Sequence, residues 1–149
     1  MRIILIQLWA KLNTPENSIF IIPPHLEGFR IESERSIYVS WKDGTVAFFD
    51  EDLGSIWLKR LQMLGFQPTR GEDTLDYVSF DEVEKILDPI YRNLDSELIF
   101  DIAKNLDTCF VYFVTFEDTN FIEEFQIYYK NQKYIIYYID NQKNECESD

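Results

Sequence analysis

The chain is short of the residues on which most catalytic, metal and cofactor chemistry depends. Its 149 residues include one histidine, two cysteines and five glycines. No Cys/His spacing suits zinc. Neither GxxxxGK nor GxGxxG occurs, and Gly65 and Gly71 lack the following lysine that a phosphate loop needs. The run from Asp73 to Glu84 has the acidity of a calcium loop. However, Leu75 and Tyr77 stand where its third and fifth ligands belong, and Val78 where its glycine belongs. No cofactor and no metal are expected. A Ser–His–Asp or Cys–His set assembles in space and not in sequence, so a catalytic role for His25, beside Pro23-Pro24 in an expected loop, would rest on tertiary geometry alone.

Long apolar runs are missing too. Nothing reaches the ~20 residues of a membrane span. The opening Met1 to Ala10 imitates a short signal sequence, but Gln7 interrupts it, Lys11 follows, and no small-x-small cleavage site appears. Cys109, in an apolar run, and Cys146, in the polar tail, make no disulfide framework. A reducing, cytoplasmic setting without membrane partners is the expectation.

What the chain has in quantity is aromatic and acidic residues. It is 46% hydrophobic, with twelve Phe and nine Tyr, so it carries enough apolar surface to fold despite a net charge of −13. The charge is uneven. Residues 1–75 hold eight bases against ten acids, and residues 76–149 six against seventeen. Such a field repels nucleic acid and anionic lipid and attracts basic proteins or cations, which excludes direct nucleic-acid binding from the expected functions. Length and composition fit one α+β domain over residues 1–140, followed by a polar, disordered tail at 141–149.

The pattern predicts short strands at 3–9 and 18–22, the second closed by Pro23-Pro24. A β-hairpin is predicted from 37–41 and 45–49 around Asp43-Gly44, the dipeptide that two-residue turns favour. A central helical segment of about three helices follows. The first runs from Asp50-Glu51-Asp52 to Gly65 with Leu53, Ile56, Trp57, Leu61 and Leu64 at helical spacing. The second starts at a capping box over Ser79 to Glu82, carries Phe80, Val83, Ile86 and Leu87, and is expected to kink or restart at Asp88-Pro89. The third spans Ser96 to Leu106. From Cys109 onward, runs at 109–116, 121–130 and 133–139 predict a three-stranded antiparallel meander. One of its faces is almost wholly apolar. The other, with Phe113, Glu124, Gln126, Tyr128, Ile135 and Tyr137, is mixed enough to be a candidate binding surface.

Between Glu72 and Asp107 there are eleven acids and three bases. Helical spacing turns Asp81, Glu84 and Asp88 away from the Phe80/Val83/Leu87 stripe, and Glu97 and Asp101 away from Leu98/Ile102. Two readings stand: a solvated face that keeps the protein soluble, or a patch that steers a basic partner. The partner-binding candidates are therefore Asp81, Glu84, Asp88, Glu97, Asp101, Glu124, Tyr128 and Tyr137.

In size, charge and the strand run Phe110-Val111-Tyr112-Phe113-Val114-Thr115-Phe116-Glu117-Asp118, the chain resembles the immunity proteins of bacterial toxin systems, including contact-dependent growth inhibition. That resemblance implies one-to-one capture of a basic toxin effector domain by occlusion of its active site, and it carries over no binding residues. A nucleic-acid mimic or phage antidefence inhibitor, with carboxylates in place of phosphates, is the alternative. A small enzyme built on His25 is the third.

Overall fold

A computed structural model describes residues 2–66 and 80–142, with side chains for 6–45, 49–66 and 82–142. The chain is α+β and forms two compact units. Unit 1 holds residues up to Ile22, Gly28–Tyr38 and those from Asp95 onward; unit 2 holds Pro23–Glu27 and Val39–Leu94.

Unit 1 is built on a five-stranded mixed sheet. Its strands are β1 (Ile19–Ile21), β2 (Ser36–Ile37), β3 (Val111–Phe116), β4 (Gln126–Lys130) and β5 (Tyr134–Ile139), in the order β2-β1-β3-β5-β4. β1 runs parallel to both β2 and β3, and β5 runs antiparallel to both β3 and β4. The expected meander therefore gives way to a different order. β5 lies between β3 and β4, so residues 117–125 begin with a turn over Phe116–Thr119 but cross over and do not join β3 to β4 as a hairpin, while the turn at Asn131-Gln132 does join β4 to β5. Asn131 fixes that turn, its Oδ1 accepting the Lys133 and Tyr134 amides at 2.8 Å each. Periodicity gives each strand's faces but not which neighbour it pairs with, and β3 and β5 are equally apolar.

All of β3, and all of β5 except half-buried Tyr138, is buried. Strands covered on both faces read as continuous apolar runs, as these do. One face carries Tyr112, Tyr138 and Phe20, with Phe20 stacked 4.9 Å from Tyr112. Helix α1 (Arg2–Asn13) reaches it through Trp9, stacked on Tyr129 at 5.1 Å, and helix α2 (Phe29–Ser33) through Phe29, 5.0 Å from Phe20. The opposite face carries Phe113 and Tyr137.

The helix α1 replaces the strand expected at 3–9. Its segment is apolar nearly all round and so carries no helical period to detect. Ala10, Lys11 and Leu12 nevertheless continue it with good helix formers. Its end is held by Arg35, which is only 7% exposed and is hydrogen-bonded chiefly to backbone carbonyls. Nη2 donates to the Lys11 and Thr14 carbonyls at 2.7 Å each, Nη1 to the Ser33 and Glu34 carbonyls, and Nε to Thr14 Oγ1. One guanidinium thus serves the C-terminal carbonyls of both α1 and α2, where helix dipoles favour a cation. Lys11 and Glu34 also form an ion pair, which holds the Glu34 carboxyl below its ordinary range.

Helix α5 (Ser96–Lys104) begins where expected, and the structure supplies its cap: Asp95 Oδ1 accepts the Leu98 amide at 2.8 Å. Asn141, the first residue of the expected tail, is buried and donates to the Ala103 and Thr108 carbonyls. Residues 143–149 lie outside the described residues. Cys109 is disulfide-bonded, where the sparse cysteine content points to reduced thiols; a low count excludes a disulfide framework but not a single bond.

In unit 2 the predicted hairpin is absent. Residues 39–41 do not pair with 45–49; a 3-10 helix runs over Trp41–Phe48. Gly44 does not take the positive φ that made Asp43-Gly44 a turn signal; the glycines that do are Gly28 and Gly65. What Gly44 supplies is room: a Cβ there would lie 2.5 Å from the Trp57 ring. Trp57 in turn donates from Nε1 to the Ser40 carbonyl at 2.8 Å and packs 5.6 Å from Trp41. Tertiary packing of two tryptophans outweighs local turn preference.

Helix α3 (Glu51–Met63) matches its prediction, with Asp50 Oδ1 capping Leu53 and Gly65 past its end at φ 97°. Helix α4 (Phe80–Arg92) does not restart at Asp88-Pro89; Pro89 sits inside it. Pro89 forfeits its own amide bond to the preceding turn, and the burial of Val83, Leu87 and Tyr91 at i, i+4 spacing holds the helix together across it. Ser79 of the capping box lies outside the described residues.

Candidate functional site

The predicted carboxylates are divided between the two units. Glu97, Asp101 and Glu124 belong to unit 1, Glu84 and Asp88 to unit 2. The side chain of Asp81, on α4, is not among those described.

In unit 1 the structure brings Glu97 and Glu124 together. The first turns of α5 contribute Ser96, Glu97 and Phe100; the crossover contributes Glu124 and Phe125; the segment after β5 contributes Asp140 and Gln142. These residues line a surface cleft of about 440 Å³. Its lining has three carboxylates, two phenylalanine rings and no base. Glu97, Glu124 and Asp140 are exposed, while Phe100 and Phe125 are half-buried. Asp101, one turn beyond Glu97, is engaged with Lys104 at 2.5 Å, and Lys104 Nζ also stands 5.9 Å from the Phe100 ring.

Tyr137, predicted as a surface contact, is fully buried. It lies beneath the crossover, with Phe121 and Phe125 centred 6.2 and 6.3 Å from its ring and its hydroxyl accepting the Ile122 amide at 3.3 Å. It therefore positions the segment that carries Glu124 and Phe125 without being part of the surface. Tyr128 is 43% exposed, but on the other face of the sheet from the one predicted. A β-bulge between Ile127 and Tyr129 adds one residue and turns Tyr128 onto Tyr138, stacked at 5.0 Å, and toward Tyr112 at 5.8 Å. Strict alternation cannot foresee a bulge. Within this tyrosine cluster burial, then Tyr128 and Tyr138, pushes the Tyr112 phenol up to about 12.

In unit 2, His25 is nine-tenths buried, with Nε2 3.9 Å from both Glu84 Oε1 and Asp88 Oδ1. Asp88 Oδ2 also accepts from Arg92 Nε at 2.9 Å. The sole histidine thus meets two of the predicted acids, a juxtaposition that no spacing in the sequence announces. A hydrolytic set would also need a nucleophile beside His25. No three metal-ligating side chains gather among the described residues.

Asp140 and Gln142 of the cleft were missed by sequence reasoning because they fall where apolar periodicity ends. The cleft forms only once β5 has delivered them next to α5. No helix among the described residues is long and apolar enough to cross a membrane. Residues 3–64, less than half of the chain, match a family described as a domain of unknown function (DUF6798). No curated protein and no solved structure matches the chain.

Proposed function

We propose that this chain is an acidic protein-binding inhibitor, of the immunity-protein kind, that captures a basic effector domain one to one and occludes its active site. The observation that carries this reading is the unit 1 cleft, lined by Glu97, Glu124 and Asp140 with Phe100 and Phe125, where the nearby Lys104 is engaged with Asp101. A lysine or arginine side chain from a partner finds there both carboxylates for its charge and ring faces for its stem. The surrounding negative field speeds such an encounter.

The nucleic-acid mimic gains less support. Asp88 and Asp101 are already paired with Arg92 and Lys104, so they do not stand as free phosphate substitutes. Compartment bears on the proposal as well. Cytosolic thiols are kept reduced, so the Cys109 disulfide counts against a cytoplasmic site of action, and thiol trapping in intact cells decides the point.

The test is co-expression with the product of the adjacent upstream gene. Rescue of growth and a one-to-one complex are expected. The double variant Glu97→Lys/Glu124→Lys should abolish both while its melting temperature stays within the small range of surface substitutions, about ±0.5 kcal/mol. Capture that survives the double reversal, or no complex at all, refutes the inhibitor reading.

A further inference from the structure

Helix α3 has two apolar stripes, and only one is used. Gly54, Leu61 and Leu64 face the interior, yet Leu53, Ile56 and Met63 are 47%, 48% and 43% exposed, and Phe49, just before the capping Asp50, is 90% exposed. The two stripes are offset along the helix, so no rotation of α3 buries both. Phe49 has no local partner either. The position that would staple it from inside the first turn is Gly54, which has no side chain.

The exposed stripe reads 53, 56, 63 along the helix, with half-buried Arg60 at the intervening seam position and Phe49 just ahead of the extended cap Asp50. Its flanks are charged in a particular order. At ~100° per residue, Asp52 and Lys59 both lie within about 60° of Ile56 and on the same side of it. One is four residues before Ile56 and the other three after, and both are exposed. A two-fold axis through Ile56 and perpendicular to the helix therefore sets Asp52 of one copy against Lys59 of the other, twice. It also sets Phe49 near Met63 at each end, with Ile56 against Ile56 in the centre. That is the self-complementarity an isologous contact requires.

We propose that α3 is a homodimerisation surface, pairing antiparallel with α3 of a second copy of this chain about Ile56. An apolar line closed by Asp52–Lys59 pairs removes four large side chains per copy from water. The charge order favours the antiparallel arrangement, because the two-fold axis of a parallel pair would set the charged edges of the two copies on opposite sides of the seam and form neither Asp52–Lys59 pair. This inference does not depend on the inhibitor reading, whose cleft residues belong to unit 1.

Sedimentation velocity over about 1 µM to 1 mM tests it directly. The full chain should dimerise within that range, and Ile56→Asp should weaken the dimer roughly tenfold or more. Asp52→Lys and Lys59→Asp should each weaken it by placing like charges together, and an equimolar mixture of the two should recover a heterodimer of wild-type affinity. Circular dichroism should show all three variants folded, since each site is exposed. If Ile56→Asp does not fold, the charge pair alone decides. A monomer throughout the range, a dimer indifferent to Ile56→Asp, or a mixture that fails to recover each overturns the proposal.

Discussion

The two units treat their apolar residues in opposite ways. In unit 1, β3 and β5 lie in a sheet covered on both faces, and nearly every residue in them is buried. In unit 2, α3 buries one stripe and leaves Leu53, Ile56 and Met63 about half exposed. A sheet interior consumes alternating side chains on both sides of each strand, whereas a helix offers a full circumference and a small helical unit covers only part of it. Apolar content alone therefore says little about burial. The architecture that receives it decides.

The sharpest way to break that contrast is to truncate one apolar residue of each kind. Phe113→Ala should lose about 3–5 kcal/mol of unfolding free energy in urea, from the removed ring and the cavity it leaves. Leu53→Ala should stay within about 0.5 kcal/mol. Similar losses at the two positions would mean that the exposed stripe of α3 is covered in the isolated chain.

Two arginines extend the comparison to polar groups. Arg35→Ala should cost about 3 kcal/mol, because it removes charge-assisted bonds to buried carbonyls at two helix ends. Arg35→Lys should recover only part of this, since an ammonium cannot span that set of acceptors. Arg92→Ala removes a partly exposed ion pair with Asp88 and should cost no more than about 1 kcal/mol. Denaturation midpoints of the three variants check the order.

The smallest expected effect is at alkaline pH. Burial raises the phenols of Tyr112, to about 12, and of Tyr138 in unit 1, and of Tyr91 in unit 2. The folded state keeps these protons when the unfolded chain gives them up. Their stabilising contribution is therefore whole below pH 10 and is lost as pH rises from about 10 toward 12. Absorbance at the phenolate band should show a late-titrating class that joins the others in denaturant. A single class at ordinary pH in the native protein would refute the buried cluster.

How far the fold was legible follows the same division. Helices α3 and α5 were readable because each carries an amphipathic period, and α3 also has acids at its start, all local signals. The site was half readable. Glu97 and Glu124 were picked out by charge and do meet in one cleft, but Tyr137 was assigned to the surface and lies beneath it, because alternation gives a strand's faces and not which of them is covered. Tyr128 changed face through a bulge. Asp43-Gly44 misled because a turn preference of this size yields to the packing of Trp41 and Trp57.

By itself, the sequence determined the α+β class, the positions of α3 and α5, the strand-forming runs and the concentration of negative charge, all properties of neighbouring residues along one chain. The tertiary structure alone decided that β5 enters between β3 and β4, that Arg35 joins the ends of α1 and α2, and that Glu97, Glu124 and Asp140 share a cleft. Those outcomes depend on contacts between segments far apart in sequence, whose energies are set by shape and burial after folding and leave no periodic trace beforehand.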